Sequence, residues 1–218
     1  CAKAFMTSHG VSTARYRICE SAEQALAVLA HGEFDLPVVI KADGLAAGKG
    51  VVIAEDRVAA ESAIREAMIE RRFGAAGERI VLEEFMTGEE ASYFVLTDGL
   101  SAMPLGSAQD HKRIRDDDRG PNTGGMGAFA PSPLVTPEIE RRVLDTIVRP
   151  VLSGMRAEGH PFVGFLYVGL MLTAAGPRVV EFNVRFGDPE AQVVLPMLDE
   201  DLSTVLWGAS PSALPARP

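Results

Sequence analysis

The chain has 218 residues, of which 47% are hydrophobic and 23% charged, and it carries a formal net charge of -9 with a pI near 5.0. This composition is typical of a soluble globular protein and argues against a general nucleic-acid surface. The two cysteines form no CxxC pair, no apolar run reaches bilayer length, and no signal-peptide pattern opens the chain. We therefore expect a reduced, cytoplasmic protein with no nucleic-acid or membrane partner.

The first predicted elements are two helices. Residues 2–8 predict a helix that Gly10 ends, and because the chain starts inside this helix without Met, we expect a piece of a longer protein. Ser21 and Gln24 have the spacing of a capping box, in which each side chain satisfies a backbone N–H at the helix start. This box predicts a second helix that runs to about His31.

A glycine-rich loop follows between two β-branched runs. The runs, 38–40 and 51–54, predict strands, and the loop at 44–50 contains three glycines and a lysine. Glycines let backbone N–H groups approach a phosphate closely, and Lys41 and Lys49 supply positive charge. The pattern therefore predicts a phosphate-binding flap in an antiparallel hairpin, with a surface hairpin and a solvated lysine as the alternative.

The loop does not match the Walker A pattern. The spacing between Gly44 and Gly48 is one residue short, Gly50 stands where the metal-binding Ser or Thr belongs, and a strand follows instead of a helix. We therefore expect a flap that closes over ATP, not a phosphate site at a helix N-terminus.

The middle of the chain predicts one helix and several strands. Asp56 is the expected N-cap of a helix to about Arg72. Strands are expected at 79–85, 89–97 and 100–105, with Asp98 and Gly99 as a two-residue hairpin signal. Residues 109–133 are polar and rich in Gly and Pro, which predicts a long loop that is either functional or disordered.

The last third predicts a helix, a hairpin and a closing helix. Thr136 and Pro137 start a helix that Pro150 is expected to kink, and its inward positions are Ile139, Val143, Ile147 and Val151. Strands at 162–173 and 178–183 flank a turn at 175–176, and an apolar helical segment starts at Glu190. The order of elements indicates an α+β fold without a regular βαβ repeat.

The second candidate site lies at the end of the last predicted strand. Because side chains alternate along a strand, Glu181 and Asn183 face one side while Phe182 packs on the other. Two oxygen donors of this kind suit Mg²⁺, which completes its octahedron with phosphate oxygens and water. The Arg185 guanidinium, two residues further on, can stabilise charge on a transferring phosphoryl group. A solvated strand face is the alternative.

Two further polar stretches are candidates for substrate contacts. Glu83, Glu84 and Phe85, with Glu90 after the turn, can read an adenine edge and a ribose, or they form an acidic surface hairpin. In the long loop, basic residues beside an Asn-Thr-Gly-Gly turn can bind a phosphate and a small polar substrate, or they form a solvated charge run. No histidine pair has metal-ligand spacing.

Together these stretches resemble the phosphoribosylamine-glycine ligase (glycinamide ribonucleotide synthetase) family of ATP-grasp enzymes. The matching motifs lie at 40–50, 83–92, 109–113, 120–127 and 181–190. The resemblance runs essentially end to end, and the strings at 121–127 and 181–190 are the most specific to this family.

The resemblance implies a ligase that forms a C–N bond in purine biosynthesis. ATP would phosphorylate the carboxylate of glycine, and the amine of 5-phosphoribosylamine would attack the glycyl phosphate. The products would be glycinamide ribonucleotide, ADP and phosphate. The implied cofactors are ATP and Mg²⁺ (or Mn²⁺), and the implied partners are these small molecules.

The resemblance also implies roles for individual residues. The nucleotide would be bound by Lys41, Gly48, Lys49, Gly50, Glu83, Glu84, Phe85 and Glu90. The metal would be held by Glu181 and Asn183. Arg185 would steady the acyl phosphate, with Lys112 and Asp110 as further catalytic residues. The substrates would contact Asn122, Thr123, Gly124 and Gly125.

The implied fold is an ATP-grasp with two α+β subdomains that clasp ATP between them. We expect the ATP-grasp domain at 1–208, with a nucleotide-flap subdomain at about 37–105, a metal and substrate subdomain at about 106–208, and a tail or linker at 209–218. We expect this sequence to leave out the family's N-terminal domain, of about a hundred residues, and its C-terminal domain. Two alternatives stay open: an ATP-binding fragment without independent catalysis, or another ATP-grasp carboxylate-amine ligase.

Overall fold

A computed structural model of the chain describes residues 2–44, 50–111, 113–115, 119–123 and 125–209. The helices are α1 (Ala2–Ser8), α2 (Ala22–Ala30), α3 (Arg57–Ile64), α4 (Pro137–Val143), α5 (Arg149–Ala157), α6 (Ala191–Val194) and α7 (Leu202–Gly208). The strands are β1 (Tyr16–Cys19), β2 (Val38–Ala42), β3 (Val51–Ala54), β4 (Ile80–Glu84), β5 (Glu89–Asp98), β6 (Ala102–Asp110), β7 (Arg113–Arg115), β8 (Arg119–Asn122), β9 (Ala128–Phe129), β10 (Val163–Thr173) and β11 (Gly176–Asn183). None of the helices in these ranges is long and apolar enough to cross a membrane.

The described residues form two compact units, 14–87 and 2–13 together with 88–209. Both combine helices with antiparallel sheets, so the α+β class expected from the sequence is confirmed. The division falls after Thr87, whereas the sequence led us to expect it near residue 105. The reason is strand pairing, since β5 pairs with β10 along ten consecutive residue pairs and so belongs to the second unit.

The first unit is a four-stranded antiparallel sheet in the order β1-β4-β2-β3, with α2 and α3 on one face. The predicted flap strands are confirmed, because Val38 pairs with Ala54 and Ile40 with Val52. Alternation along the strands sends Ile40 and Leu82 into the core beside Ile64 of α3.

Side-chain caps set the two helix starts in this unit. Ser21 Oγ accepts a hydrogen bond from the Gln24 backbone N–H at 3.1 Å, and Asp56 Oδ1 accepts one from the Ala59 N–H at 2.8 Å. The helix after Asp56 was expected to reach Arg72. It changes instead to a single π-helical turn at Arg65–Ile69, and Arg71 has a φ of 53°.

The second unit is a five-stranded antiparallel sheet in the order β11-β10-β5-β6-β9, covered on both faces. Tyr93 and Val95 point to the core under α1, α4 and α5, whereas Phe94 and Leu96 point to the core under α6 and α7. Alternating residues of β5 therefore supply two cores, which explains why this strand is apolar along both faces.

Three local predictions in this unit are wrong. The turn after β5 is longer than two residues, because Thr97 pairs with Ala102 and Asp98 Oδ1 accepts hydrogen bonds from the Leu100 and Ser101 N–H groups. The stretch at 109–133 is not a plain loop, since it contains the β7–β8 hairpin and β9. The second hairpin pairs Thr173 with Gly176, so its turn lies at 174–175.

The long helix from Thr136 is interrupted before Pro150. Thr136 caps α4 as predicted, and Val143, Ile147 and Val151 are buried. A π-helical turn at Leu144–Val148 separates α4 from α5. The π-helical turn therefore lies before Pro150. Because proline has no backbone N–H, the Thr146 carbonyl has no α-helical donor.

Candidate active site

A polar pocket lies on the α6–α7 face of the second unit's sheet. Three carboxylates line it, from Glu90 of β5, Asp110 of β6 and Glu181 of β11, and Ser92 and Tyr167 add two hydroxyl groups. Strand register brings these residues together, because Ser92 pairs with Gly169 and Gly169 pairs with Glu181. Three motifs that are far apart in sequence thus meet at one surface.

Gly169 provides the space in which these side chains lie close together. A Cβ atom at this position would lie 3.2 Å from Glu181 Cγ and 3.3 Å from the Tyr167 hydroxyl oxygen. Because Gly169 has no side chain, Glu181 and Tyr167 can both lie over β10. A β-bulge at this point places an extra residue of β11, Val180, opposite β10. Gly169 was not identified from the sequence, because a glycine inside an apolar strand carries no chemical signal.

Glu181 and Asn183 lie on the same side of β11, as strand alternation predicts. Asn183 Nδ2 donates a hydrogen bond to Glu181 Oε1 at 3.2 Å, and Phe182 packs against the core on the opposite face. Within the described residues, no group of three or more His, Cys, Asp or Glu side chains is arranged to hold a metal. A pair of oxygen donors fits Mg²⁺, which takes one or two protein ligands and keeps water or phosphate in its other positions.

The loop after β11 carries Arg185 on its exposed side. Arg185 Nη1 donates to the Phe186 carbonyl at 2.9 Å, and the Phe186 ring lies 5.3 Å from the ring of Phe94 and 4.5 Å from that of Phe165. The aromatic contacts anchor the loop to the sheet face and leave the guanidinium at the surface.

The glycine turn of the predicted substrate site packs against this same loop. A Cβ atom at Gly125 would lie 2.6 Å from Pro189 Cδ, and the Gly125 N–H donates to Thr123 Oγ1 at 3.1 Å. The two most specific sequence motifs are therefore in contact. Of the predicted residues in this stretch, Lys112 and Gly124 lie outside the described residues, as does the side chain of Asn122.

In the first unit, Lys41 and Glu83 form an ion pair on the sheet face away from α2 and α3. Lys41 Nζ lies 3.0 Å from Glu83 Oε2, and Glu83 is 2% exposed. Val51 and Ile53 on the same face are exposed. This face thus offers an apolar surface with one ammonium held in place, which suits a base and a phosphate.

The other predicted nucleotide residues of this unit have different surroundings. Both Glu84 carboxylate oxygens accept hydrogen bonds from Arg15, one from Nε at 2.8 Å and one from the backbone N–H at 2.9 Å. The hydrogen bond between the Arg15 side chain and Glu84, together with the negative charge of Glu84, raises the pKa of the Arg15 guanidinium. The Glu84 carboxylate therefore connects the end of β4 to Arg15, the residue before β1. Phe85 is partly exposed, Gly50 accepts from the Ala42 N–H at 2.8 Å, and Gly48 and Lys49 lie outside the described residues.

The elements and the pocket define the class of protein. The flap hairpin, the ion pair between Lys41 and the buried Glu83, and the carboxylate-lined sheet are features of an ATP-grasp domain, a class that uses ATP and a divalent metal in general. Biotin carboxylase from Campylobacter jejuni superimposes with a TM-score of 0.74 over 99% of this chain and 46% of its own, at 18% identity, which shows the shared fold.

Residues 1–191 match the family described as "Phosphoribosylglycinamide synthetase, ATP-grasp (A) domain", and the chain belongs to this family. The phosphoribosylamine–glycine ligase of Xanthomonas axonopodis pv. citri is 52% identical over 95% of this chain and 48% of its own length. That of Phenylobacterium zucineum is 52% identical over 99% of this chain and 50% of its own. The crystal structure of the Thermotoga maritima phosphoribosylamine–glycine ligase has a TM-score of 0.89 at 35% identity, covering 100% of this chain and 55% of that one.

The chain spans about half the length of the curated relatives that it matches. The family match over residues 1–191 and the likeness to the Thermotoga maritima structure confirm the resemblance seen in the sequence, for the family and for the fold.

Proposed function

We propose that this chain is the ATP-binding part of a phosphoribosylamine–glycine ligase, which joins glycine to 5-phosphoribosylamine in purine biosynthesis with ATP as the energy source. The observation that carries the proposal is the polar pocket, because Glu90, Asp110 and Glu181 come from three separate family motifs and line one surface. We place the enzyme in the cytoplasm, where its small-molecule substrates would be made and used.

On the nucleotide side, Lys41 would bind phosphate oxygens. The Glu83 carboxylate holds the ammonium at 3.0 Å, so the lysine is ordered before the nucleotide arrives. Backbone groups at Glu84 and Phe85 and the carboxylate of Glu90 would contact adenine and ribose. Gly48, Lys49 and Gly50 would complete the phosphate contacts through the flap.

On the acyl-transfer side, Glu181 and Asn183 would hold Mg²⁺ (or Mn²⁺). The bound cation would neutralise charge on the phosphate oxygens. Arg185 would bind the phosphoryl group as it moves from ATP to the glycine carboxylate, which breaks the bond to the β-phosphate oxygen and forms glycyl phosphate.

The acceptor side needs no nucleophilic side chain, because the attacking amine belongs to 5-phosphoribosylamine. Its nitrogen forms the amide bond, phosphate leaves, and the amine loses a proton. Asp110 and Lys112 would orient the two substrates, and the turn that includes Asn122, Thr123, Gly124 and Gly125 would bind the phosphoribosyl group.

ADP release tests the proposal. The chain is incubated with Mg-ATP, glycine and 5-phosphoribosylamine generated in situ, and each component is omitted in turn. Turnover that requires both substrates supports the ligase, while a preference for another carboxylic acid identifies another ATP-grasp ligase. Absence of any Mg-ATP binding by calorimetry contradicts the proposal for this chain.

A second candidate function is nucleotide binding without independent catalysis. It is favoured by one observation, that the chain spans about half the length of its relatives. Binding of Mg-ATP without ADP release would support this second candidate.

A further inference from the structure

Glu190 is a buried carboxylate on the pocket face of the second unit. The residue is 4% exposed and directly precedes α6. Among the described residues, no cationic side chain lies within ion-pair distance of its carboxylate, and the one hydrogen bond of the side chain comes from Ser92, whose Oγ lies 3.3 Å from Oε1. A buried charge without an ionic partner costs stability. Its presence here therefore needs a reason other than stability.

Ser92 links this carboxylate to the pocket. Its Oγ also lies 3.2 Å from the Tyr167 hydroxyl oxygen. A serine has a single hydroxyl hydrogen and an ionised carboxylate only accepts, so Ser92 donates to Glu190 and Tyr167 donates to Ser92. The hydroxyl oxygen of Tyr167 and Cγ of Glu181 both lie beside Gly169. The chain of hydrogen bonds from Glu190 through Ser92 to Tyr167 therefore ends next to Glu181, the predicted metal ligand.

The loop at 184–189 folds around the Glu190 carboxylate. A Cβ atom at Gly187 would overlap the carboxylate, and the Gly187 carbonyl accepts a hydrogen bond from the Ala191 N–H at 3.0 Å. Phe186 supplies an apolar anchor on the same sheet face. Glu190 is thus the polar connection between this loop and the strand that carries Ser92.

We propose that Glu190 is a positioning residue, which acts through Ser92 and Tyr167 to fix the 184–189 loop, and with it Arg185, relative to Glu181 and Asn183. It touches neither nucleotide nor substrate in this role. The consequence for nucleotide binding rests on the proposed function, whereas the consequence for loop order does not.

Amide hydrogen exchange of the nucleotide-free chain tests the loop directly. We expect Glu190→Gln and Ser92→Ala each to speed exchange at 184–188 by about tenfold, because the loop loses its polar anchor. The matched control is Glu140→Gln on the opposite face of the same sheet, where Glu140 Oε1 accepts a hydrogen bond from the Tyr93 hydroxyl at 2.8 Å. The control should leave exchange at 184–188 within about twofold of the unsubstituted chain.

Stability distinguishes positioning from a purely structural role. Because Glu190→Gln removes a buried charge and keeps the side-chain shape, we expect the midpoint of urea unfolding to stay the same or rise. A lower midpoint, with faster exchange spread evenly over the whole unit, would overturn the proposal. Unchanged exchange at 184–188 would also overturn it.

Calorimetry with Mg-ATP gives the second readout. We expect Glu190→Gln to weaken binding by about tenfold, and the double variant with Ser92→Ala to be no weaker than the stronger single effect, since both act through one chain of hydrogen bonds. If the unsubstituted chain does not bind Mg-ATP, the proposed function fails and hydrogen exchange alone decides the inference. If the unsubstituted chain binds and Glu190→Gln binds equally well, the inference fails while the proposed function stands.

Discussion

At the scale of single residues, the two carboxylates at the end of β4 each have a different cationic side chain beside them. Glu83 lies beside Lys41, and Glu84 is bound by Arg15. The family resemblance made Glu83 and Glu84 candidates for nucleotide contacts, while the residues alone left an acidic surface hairpin as the alternative. The sequence could not distinguish the two residues, because only the strand order shows that Glu83 faces the apolar surface and that Glu84 faces β1.

The Lys41–Glu83 pair gives a prediction about stability. Lys41→Met should lower the free energy of unfolding by about 3 kcal/mol, because the ion pair between Lys41 and the buried Glu83 carboxylate is lost. Urea unfolding measures the loss. Lys41→Met combined with Glu83→Gln should recover most of it, and a double variant as unstable as the sum of the two single ones would contradict this reading of the pair.

Tyr93 gives a prediction about alkaline pH. Burial raises the pKa of the Tyr93 hydroxyl, and the charge of Glu140 raises it further. The folded state therefore holds this proton more tightly than the unfolded state, so the resulting stability is present below pH 10 and is lost as the pH rises above it. The unsubstituted chain should lose up to about 1.4 kcal/mol per pH unit more than Tyr93→Phe, measured by urea unfolding from pH 9 to 11. Parallel pH curves for the two proteins would contradict the assignment.

At the scale of elements, the sequence predicts helix starts better than it predicts turns. Ser21, Asp56 and Thr136 each cap a helix as expected, because a cap is a local hydrogen bond between neighbouring residues. The β7–β8 hairpin was missed, since short strands with Gly and Pro have no apolar alternation. Ser92 and Tyr167 were missed for a related reason, because a hydroxyl within an apolar strand gives no sign of what faces it.

The contact between the glycine turn and the loop after β11 can be tested at Gly125. Gly125→Ala should lower the free energy of unfolding by about 2–3 kcal/mol, because the residue has a φ of 114° and the new Cβ atom would lie 2.6 Å from Pro189 Cδ. Gly127→Ala is the matched control, since Gly127 has a φ of 159° and open space around the added atom. Urea unfolding should show the larger loss for Gly125→Ala, and equal losses would mean that the contact contributes nothing.

At the scale of the whole molecule, the order of the chain does not follow the order of its units. The sequence suggested one boundary near residue 105, with each subdomain continuous. In the structure, residues 2–13 belong to the second unit although the whole first unit lies between them and residue 88. Composition and periodicity cannot reveal this, because the N-terminal helix looks the same whichever sheet it covers.

The contacts of this N-terminal segment give the last prediction. Met6 and Val11 are buried in the α4–α5 core, and Thr13 Oγ1 donates to the Val179 carbonyl at 2.7 Å. The Val179 N–H in turn donates to the Ser12 carbonyl at 2.8 Å. Deleting residues 1–12 would expose this core face and remove the hydrogen bond from Val179 to Ser12, so amide exchange should speed up in 88–209 while 14–87 keeps its protection.

Met6→Ala in the uncut chain is a milder version of the same test. It should lower the free energy of unfolding by about 2–4 kcal/mol, because it leaves a cavity under the sheet. Its effect on exchange should likewise be confined to the second unit. If exchange rose equally in 14–87, the two units would unfold as one, and the N-terminal segment would stabilise the whole chain instead of the sheet that carries Glu181 and Asn183.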